Sequence, residues 1–217
     1  MQNLQLKELL HVIGRRDGEY VAGTVSGIIG ALATSLFHFV IDLQTGKKKY
    51  RGQEEIIEKI QRQLKDVTHQ FIAQAEEDAH AYSGVVTARR LCQTTENEKK
   101  LRQEAIDQAL VEASEPQIKM MSLCEEILDI YESVQMLAIQ GSVVGDIKVS
   151  LLYLEAVILT CELTARANYE QIVNLDLRRK SLHALKQQKN YLITEITNKQ
   201  ADIQKYLDCG YWEADNE

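Results

Sequence analysis

Apolar residues recur along this chain at steps of three and four, and no segment alternates apolar and polar residues as a half-buried strand would. That pattern predicts helices almost throughout. A short amphipathic one covers Leu4 to Val12 and is followed by a break at RRDG, Arg15 to Gly18. The first long helix is Val21 to Ile41, VAGTVSGIIGALATSLFHFVI, uncharged and apolar on every side. In the next, Ile56, Ile60, Leu64, Val67, Phe71, Ala75, Tyr82 and Val86 mark one face, and the other face is charged. Glu98 to Ala113 turns Ala105, Ile106, Ala109 and Leu110 inward until Pro116 ends or kinks it, and Ile118 to Leu137 continues helically. Gly141 and Gly145 mark a loop over Ile139 to Asp146. Ile147 to Asp208 holds neither glycine nor proline, so two long helices or one bent one follow, with a boundary near Asn174 to Asp176, where Asn and Asp can cap.

The expected fold is therefore all-α: a multi-helix up-and-down bundle of five or six helices, dimerising, with a long C-terminal helix. Residues 1–176 read as the helical domain and 177–217 as a helical C-terminal extension and tail. Leu182, Leu185, Leu192, Ile196, Ile203 and Tyr206 form only a sparse stripe there, which suits an exposed extension or a dimer arm. Arg178 to Lys180 reads as a solvated face.

Length alone allows the Val21 to Ile41 run to cross a bilayer, and Gly23 and Gly27 form a GxxxG pair. Composition favours a buried core helix. Thr24, Ser26, Thr34, Ser35 and His38 interrupt the run, no second run of similar purity follows, and 26% of the 217 residues are charged. A net charge of −7 works against general nucleic-acid binding. Cys92, Cys124, Cys161 and Cys209 lie far apart without a CxxC pair, which predicts reduced, mostly buried thiols. With no basic segment leading into an apolar core at the N-terminus, a cytoplasmic location is expected.

Few residues carry candidate chemistry. Gly23, Thr24, Gly27, Gly30 and Thr34 put small side chains together along the first long helix, so something approaches it closely. Either another helix packs there, or the stripe walls a pocket or an anion site at the helix N-terminus. Lys47, Lys48 and Lys49 either complement the helix dipole or bind a carboxylate-bearing ligand. His38 and Asp42, four apart, share a face as a metal pair, as an oriented acid and base, or as a partly buried, hydrogen-bonded histidine. Glu76, Glu77, Asp78 and His80 form an acidic patch with too few ligands nearby for a metal, and none is assigned. Glu155 sits inside the apolar stretch VSLLYLEAVILT, where a carboxylate must be paired or have its pKa raised. Arg166 and Asn168 follow on neighbouring stripes, and a structural Glu–Arg pair is an equal reading.

The segment GALATSLFHFVIDLQTGKKKY resembles the signature of the formiminotransferase-cyclodeaminase C-terminal family, with GKKKY the most specific match. EDAHAYSGVV, Glu77 to Val86, and GDIKVSLLYLEAVILTCELTARAN, Gly145 to Asn168, are similar to two further family segments, with Asp146, Glu155, Arg166 and Asn168 on matching positions. The similarity covers about residues 1 to 170 of the chain, most of the domain 1–176.

The resemblance implies folate one-carbon chemistry without metal or redox cofactor. The reaction is cyclisation of 5-formiminotetrahydrofolate to 5,10-methenyltetrahydrofolate with loss of ammonia, or hydrolysis of the methenyl compound. Asp146 and Glu155 would be base and acid, with Arg166 setting their charge. Gly23, Thr24, Gly27, Asp42 and Asn168 would line the substrate site, and Lys47, Lys48 and Lys49 would attract the glutamate tail. The implied partners are a folate-type small molecule and a second copy of the chain, not nucleic acid or membrane. The chain departs from the family where a Pro-Gly-Gly-Gly-Ser loop falls on Tyr20, Val21, Ala22, Gly23 and Thr24, losing the proline and two glycines. That departure motivates the alternative of a non-catalytic scaffold with the same fold, and it predicts a loop of changed shape.

Overall fold

The structure, a computed structural model, describes residues 6–16 and 21–212. Its α-helices are α1 (Leu6–Ile13), α2 (Ala22–Asp42), α3 (Glu54–Ala81), α4 (Ser83–Arg89), α5 (Glu96–Glu112), α6 (Glu115–Met136), α7 (Val143–Tyr169) and α8 (Leu175–Cys209). The described residues contain no strand. The short helix expected over Leu4 to Val12 is α1, the long ones correspond to α2, α3, α5, α6, α7 and α8, and α4 is additional, so the described residues hold eight α-helices where five or six were expected. Residues Leu4, Asp17, Gly18 and Tyr20 of the expected N-terminal elements lie outside the described residues.

α2 is the axle of the bundle. It is enclosed by α3, α6 and α7, and its length and mean hydropathy of 1.8 over its most apolar window would suit a membrane. Here Ala33, Phe37, Val40 and Ile41 are instead fully enclosed by protein. α2 and α3 run antiparallel with almost nothing between them: a Cβ on Gly27 would lie 2.7 Å from Ala75 Cβ and 2.8 Å from the Phe71 carbonyl oxygen, and one on Gly30 would lie 2.4 Å from the Phe71 ring. The small-residue stripe is thus a helix-packing seam. α7 runs antiparallel to α2 on another side, joined by Ser26 with Thr160 at 2.8 Å and by Ser150 Oγ donating to the Ala33 carbonyl at 2.8 Å.

The buried stripe of α3 is Ile57, Ile60, Leu64, Val67, Phe71, Ala75 and Asp78. Ile56 is exposed, and the helix breaks at Tyr82 before α4, so the single helix expected through Val86 is divided. Pro116 lies in the first turn of α6, where its missing N–H costs nothing. Asn174 caps α8 where the sequence placed the boundary, its Oδ1 accepting from the Asp176 and Leu177 amides. The buried Asp107 carboxylate on α5 reaches the same turn and accepts from Val173 N at 3.0 Å and Asn174 N at 2.8 Å. α8 is no free arm: Leu185, Leu192, Ile196, Ile203 and Tyr206 are buried in the same continuous core, against α6 and α7. Lys199, also buried on α8, pairs with Glu132 at 3.2 Å.

Candidate functional site

At the end of the bundle where α2 and α6 begin and α3 and α7 finish, one carboxyl group is enclosed. Asp78 is 7% exposed. Thr24 Oγ1 donates to its Oδ2 at 2.9 Å, and Gln117 Nε2 donates to its Oδ1. The Thr24 amide adds a backbone hydrogen bond. α2 has no side-chain cap of its own at Val21, so Asp78 caps it from the neighbouring helix. This approach needs Gly23, where a Cβ would lie 2.2 Å from Asp78 Oδ1.

Burial pushes the Asp78 carboxyl above the usual carboxylate range, and the hydrogen bonds from Thr24 and Gln117 offset only part of that shift. Its named partners are uncharged. Beyond them lie Ser26, Thr160 and the Cys161 thiol, which burial raises to about 12, with a smaller contribution from Asp78. Asn168 Nδ2 donates to Ser114 Oγ at 3.2 Å on the same side of the bundle.

An anion site at the N-terminus of α2 is excluded by this arrangement, because the protein's own carboxyl occupies it. Gly27 is closed off by Ala75 and cannot face a ligand here. The replaced glycines carry no strain: Val21 is extended at φ −114° and Ala22 begins the helix, so the segment follows a path open to any residue.

The other candidates lie elsewhere. Asp146, Glu155 and Arg166 are strung along α7, with about 30 Å from first to last at ~1.5 Å per residue, and do not converge. Glu155 accepts from Gln200 of α8 at 2.9 Å. Arg166 pairs with Glu162 at 3.5 Å, one turn back on its own helix, rather than with Glu155. Asp42 is met by Gln61 at 3.0 Å, while His38 Nε2 is enclosed with no hydrogen-bond partner among the described residues. Burial lowers the His38 pKa, with Lys65 adding to it.

The lysines stand at the opposite end of α2. Lys47 donates to Gln44 at 3.0 Å and Lys49 to the Ala138 carbonyl at 2.7 Å. Lys47, Lys48 and Arg51 border a cavity of about 280 Å³ with Tyr50, Glu54 and Glu58. No group of three His, Cys, Asp or Glu side chains among the described residues is placed to hold a metal.

Sequence reasoning named Asp78 only as part of an acidic patch and passed over Gln117. The signal for Asp78 was present: it continues the three-and-four stripe of α3 as the one acidic member, inside the segment EDAHAY. Gln117 carries no local signal, since only the tertiary fold brings it to Asp78.

The sequence profile of the formiminotransferase-cyclodeaminase family matches residues 5–205. The chain belongs to this family. It is 28% identical over 112 residues to a methenyltetrahydrofolate cyclohydrolase of Methylorubrum extorquens, covering 52% of this chain and 54% of that protein. It is 23% identical over 171 residues to a formimidoyltransferase-cyclodeaminase of Gallus gallus, covering 78% of this chain and 31% of that protein. The match thus spans about half the length of one relative and a third of the other. The fold is that of a formiminotetrahydrofolate cyclodeaminase from Thermotoga maritima, with a TM-score of 0.75 at 19% identity over 93% of this chain and 98% of that one.

Proposed function

We propose that this protein is a folate one-carbon enzyme, converting 5-formiminotetrahydrofolate to 5,10-methenyltetrahydrofolate with release of ammonia or hydrolysing the methenyl compound. The relatives' activities support the reaction class. The observation that carries catalysis over an inactive scaffold is Asp78. A cap for α2 needs only a neutral acceptor, whereas a carboxyl buried among uncharged partners is costly, and proton transfer requires it. Both reactions are polar and use neither metal nor redox cofactor. Free thiols at all four cysteines, two buried and two exposed, support a reducing, cytoplasmic setting.

A homodimer completes this reading. Leu32 and Phe39 of α2 with Leu43 at its C-terminal cap, and Leu152, Leu159 and Leu163 of α7, stay exposed on adjacent helices, at heptad-like spacing. Each stripe spans about 17 Å at ~1.5 Å per residue, and the antiparallel packing of α2 and α7 sets the two end to end as one apolar face for a second copy. Pairing α2 with its copy in antiparallel fashion carries the lysines of one protomer toward the Asp78 end of the other, where they can steer a glutamate tail. Incubation of purified protein with each folate, following near-ultraviolet absorbance of the methenyl compound and ammonia release, tests the activity. No turnover of either folate would leave the scaffold reading. Light scattering tests the dimer, and a monomer across a wide concentration range would remove it.

A further inference from the structure

Two buried acceptors on the helices that hold Asp78 and its partner Gln117 have no donor among the described residues. Gln117 is 2% exposed, and its Nε2 is committed to Asp78, which leaves its Oε1 enclosed without a hydrogen-bond partner among the described residues. Gln74, one helical turn before Asp78 on α3, likewise encloses an unpartnered Oε1. Buried acceptors without donors are rare because their lost hydration is not replaced. An ionised carboxyl has about four lone-pair positions, so Asp78 keeps acceptor capacity beyond the bonds from Thr24 and Gln117. The set is rich in acceptors and holds no cation of its own among the contacts described.

We propose that Asp78, Gln117 and Gln74 form a site for a cationic nitrogen group rich in N–H donors. In the folate reaction proposed above, on which this second step rests, that group is the formimino nitrogen of the substrate. As an iminium it offers two N–H bonds to acceptors. N10 attacks the formimino carbon, forming the C–N10 bond while the C=N pair moves onto the nitrogen, which becomes an amine. The N10 proton passes to the Asp78 carboxylate and from there to the amine. The C–N bond then breaks with its electron pair on nitrogen, ammonia departs, and the positive charge remains on the methenyl product. The one-carbon unit of the methenyl compound has no N–H to give these acceptors. The site is therefore matched to ring closure rather than to hydrolysis.

The test compares the wild type with Asp78→Asn and Gln117→Leu, each checked by circular dichroism. Readouts are turnover of both folates and the shift in melting temperature on adding formamidinium chloride against equal sodium chloride. Ring closure should outpace hydrolysis, and formamidinium should stabilise the wild type but neither variant. Asp78→Asn should lower kcat for ring closure by about 10²–10⁴-fold with KM changed less than about threefold, and Gln117→Leu should chiefly raise KM. If Asp78→Asn does not fold, Gln74→Leu, which leaves the α2 cap intact, should raise KM and abolish the formamidinium shift. Faster hydrolysis than ring closure, Asp78→Asn activity within tenfold of wild type, or no formamidinium effect on the wild type would each overturn the proposal. A wild type inert toward both folates yet stabilised by formamidinium through Asp78 would keep the site and overturn the folate reading.

Discussion

The two ends of α2 solve opposite problems. Where it begins, the chain removes side chains so that a carboxyl from α3 can press against the backbone, and the hydrogen-bond partners described for that carboxyl are neutral. Where it ends, charge is concentrated at the surface, and the lysines with described hydrogen bonds give them to neutral acceptors, Gln44 and the Ala138 carbonyl. Low polarity at the first end magnifies each proton and charge, while at the second end water and salt screen them. The proposed function assigns chemistry to the first end and attraction to the second.

The sharpest way to break the first end is through its packing. Phe71→Ala, removing a fully buried ring that lies against Gly30, should cost about 3–5 kcal/mol in denaturant unfolding. Gly27→Ala should cost about 1–3 kcal/mol, because the new methyl meets backbone atoms that cannot step aside. A neutral result would show that α2 and α3 slide freely, and the cap by Asp78 would then be soft too.

The charge state at this end can be read from pH. Burial raises the Asp78 pKa in the folded chain above its unfolded value, so the stabilising contribution is complete below the unfolded pKa and is lost as pH rises through the folded one. On α2 and α6 Asp78 meets the uncharged Thr24 and Gln117, and on α7 the Cys161 thiol, whose pKa of about 12 keeps it protonated over this range. Urea unfolding of Asp78→Asn should lack this part of the slope, so the variant gains on the wild type as pH rises toward neutrality. Parallel pH profiles would contradict the buried, neutral setting.

The second end should behave otherwise. Replacing Lys47, Lys48 and Lys49 by glutamate should shift stability by less than about 0.5 kcal/mol, as exposed substitutions do. Binding of a polyglutamylated folate should weaken, more at low salt than at high. Binding unchanged in the triple variant would take the lysines out of recognition and leave the two ends unconnected.

How much of this was legible differs between helices and site. Periodicity and turn residues located α2, α6 and the Asn174 cap, since those signals are local, whereas α7 starts at Val143, inside the stretch that Gly141 and Gly145 marked as loop through Asp146. The division at Tyr82 escaped because the apolar stripe runs on in sequence through Tyr82 and Val86, which are exposed, while burial shifts to Val85 and Ala88 in α4. α8 looked exposed because its apolar residues are sparse, yet each fits between α6 and α7. Residues of α7 drew attention as acids in an apolar run, but alignment along one helix is not convergence. Asp78 and Gln117 come together across 39 positions of sequence, and no local pattern reports such a meeting.

The Asp107 clip on the turn between α7 and α8 gives that turn an unusual relation to solvent. Val173 is 59% exposed, and a surface turn ordinarily trades its amide hydrogens with water within moments. Here the amides of Val173 and Asn174 both point at a buried carboxylate on another helix and can exchange only when α5 lets go. In deuterated buffer this turn should keep its hydrogens as long as the helices on either side, a stretch of surface that keeps the time of the interior.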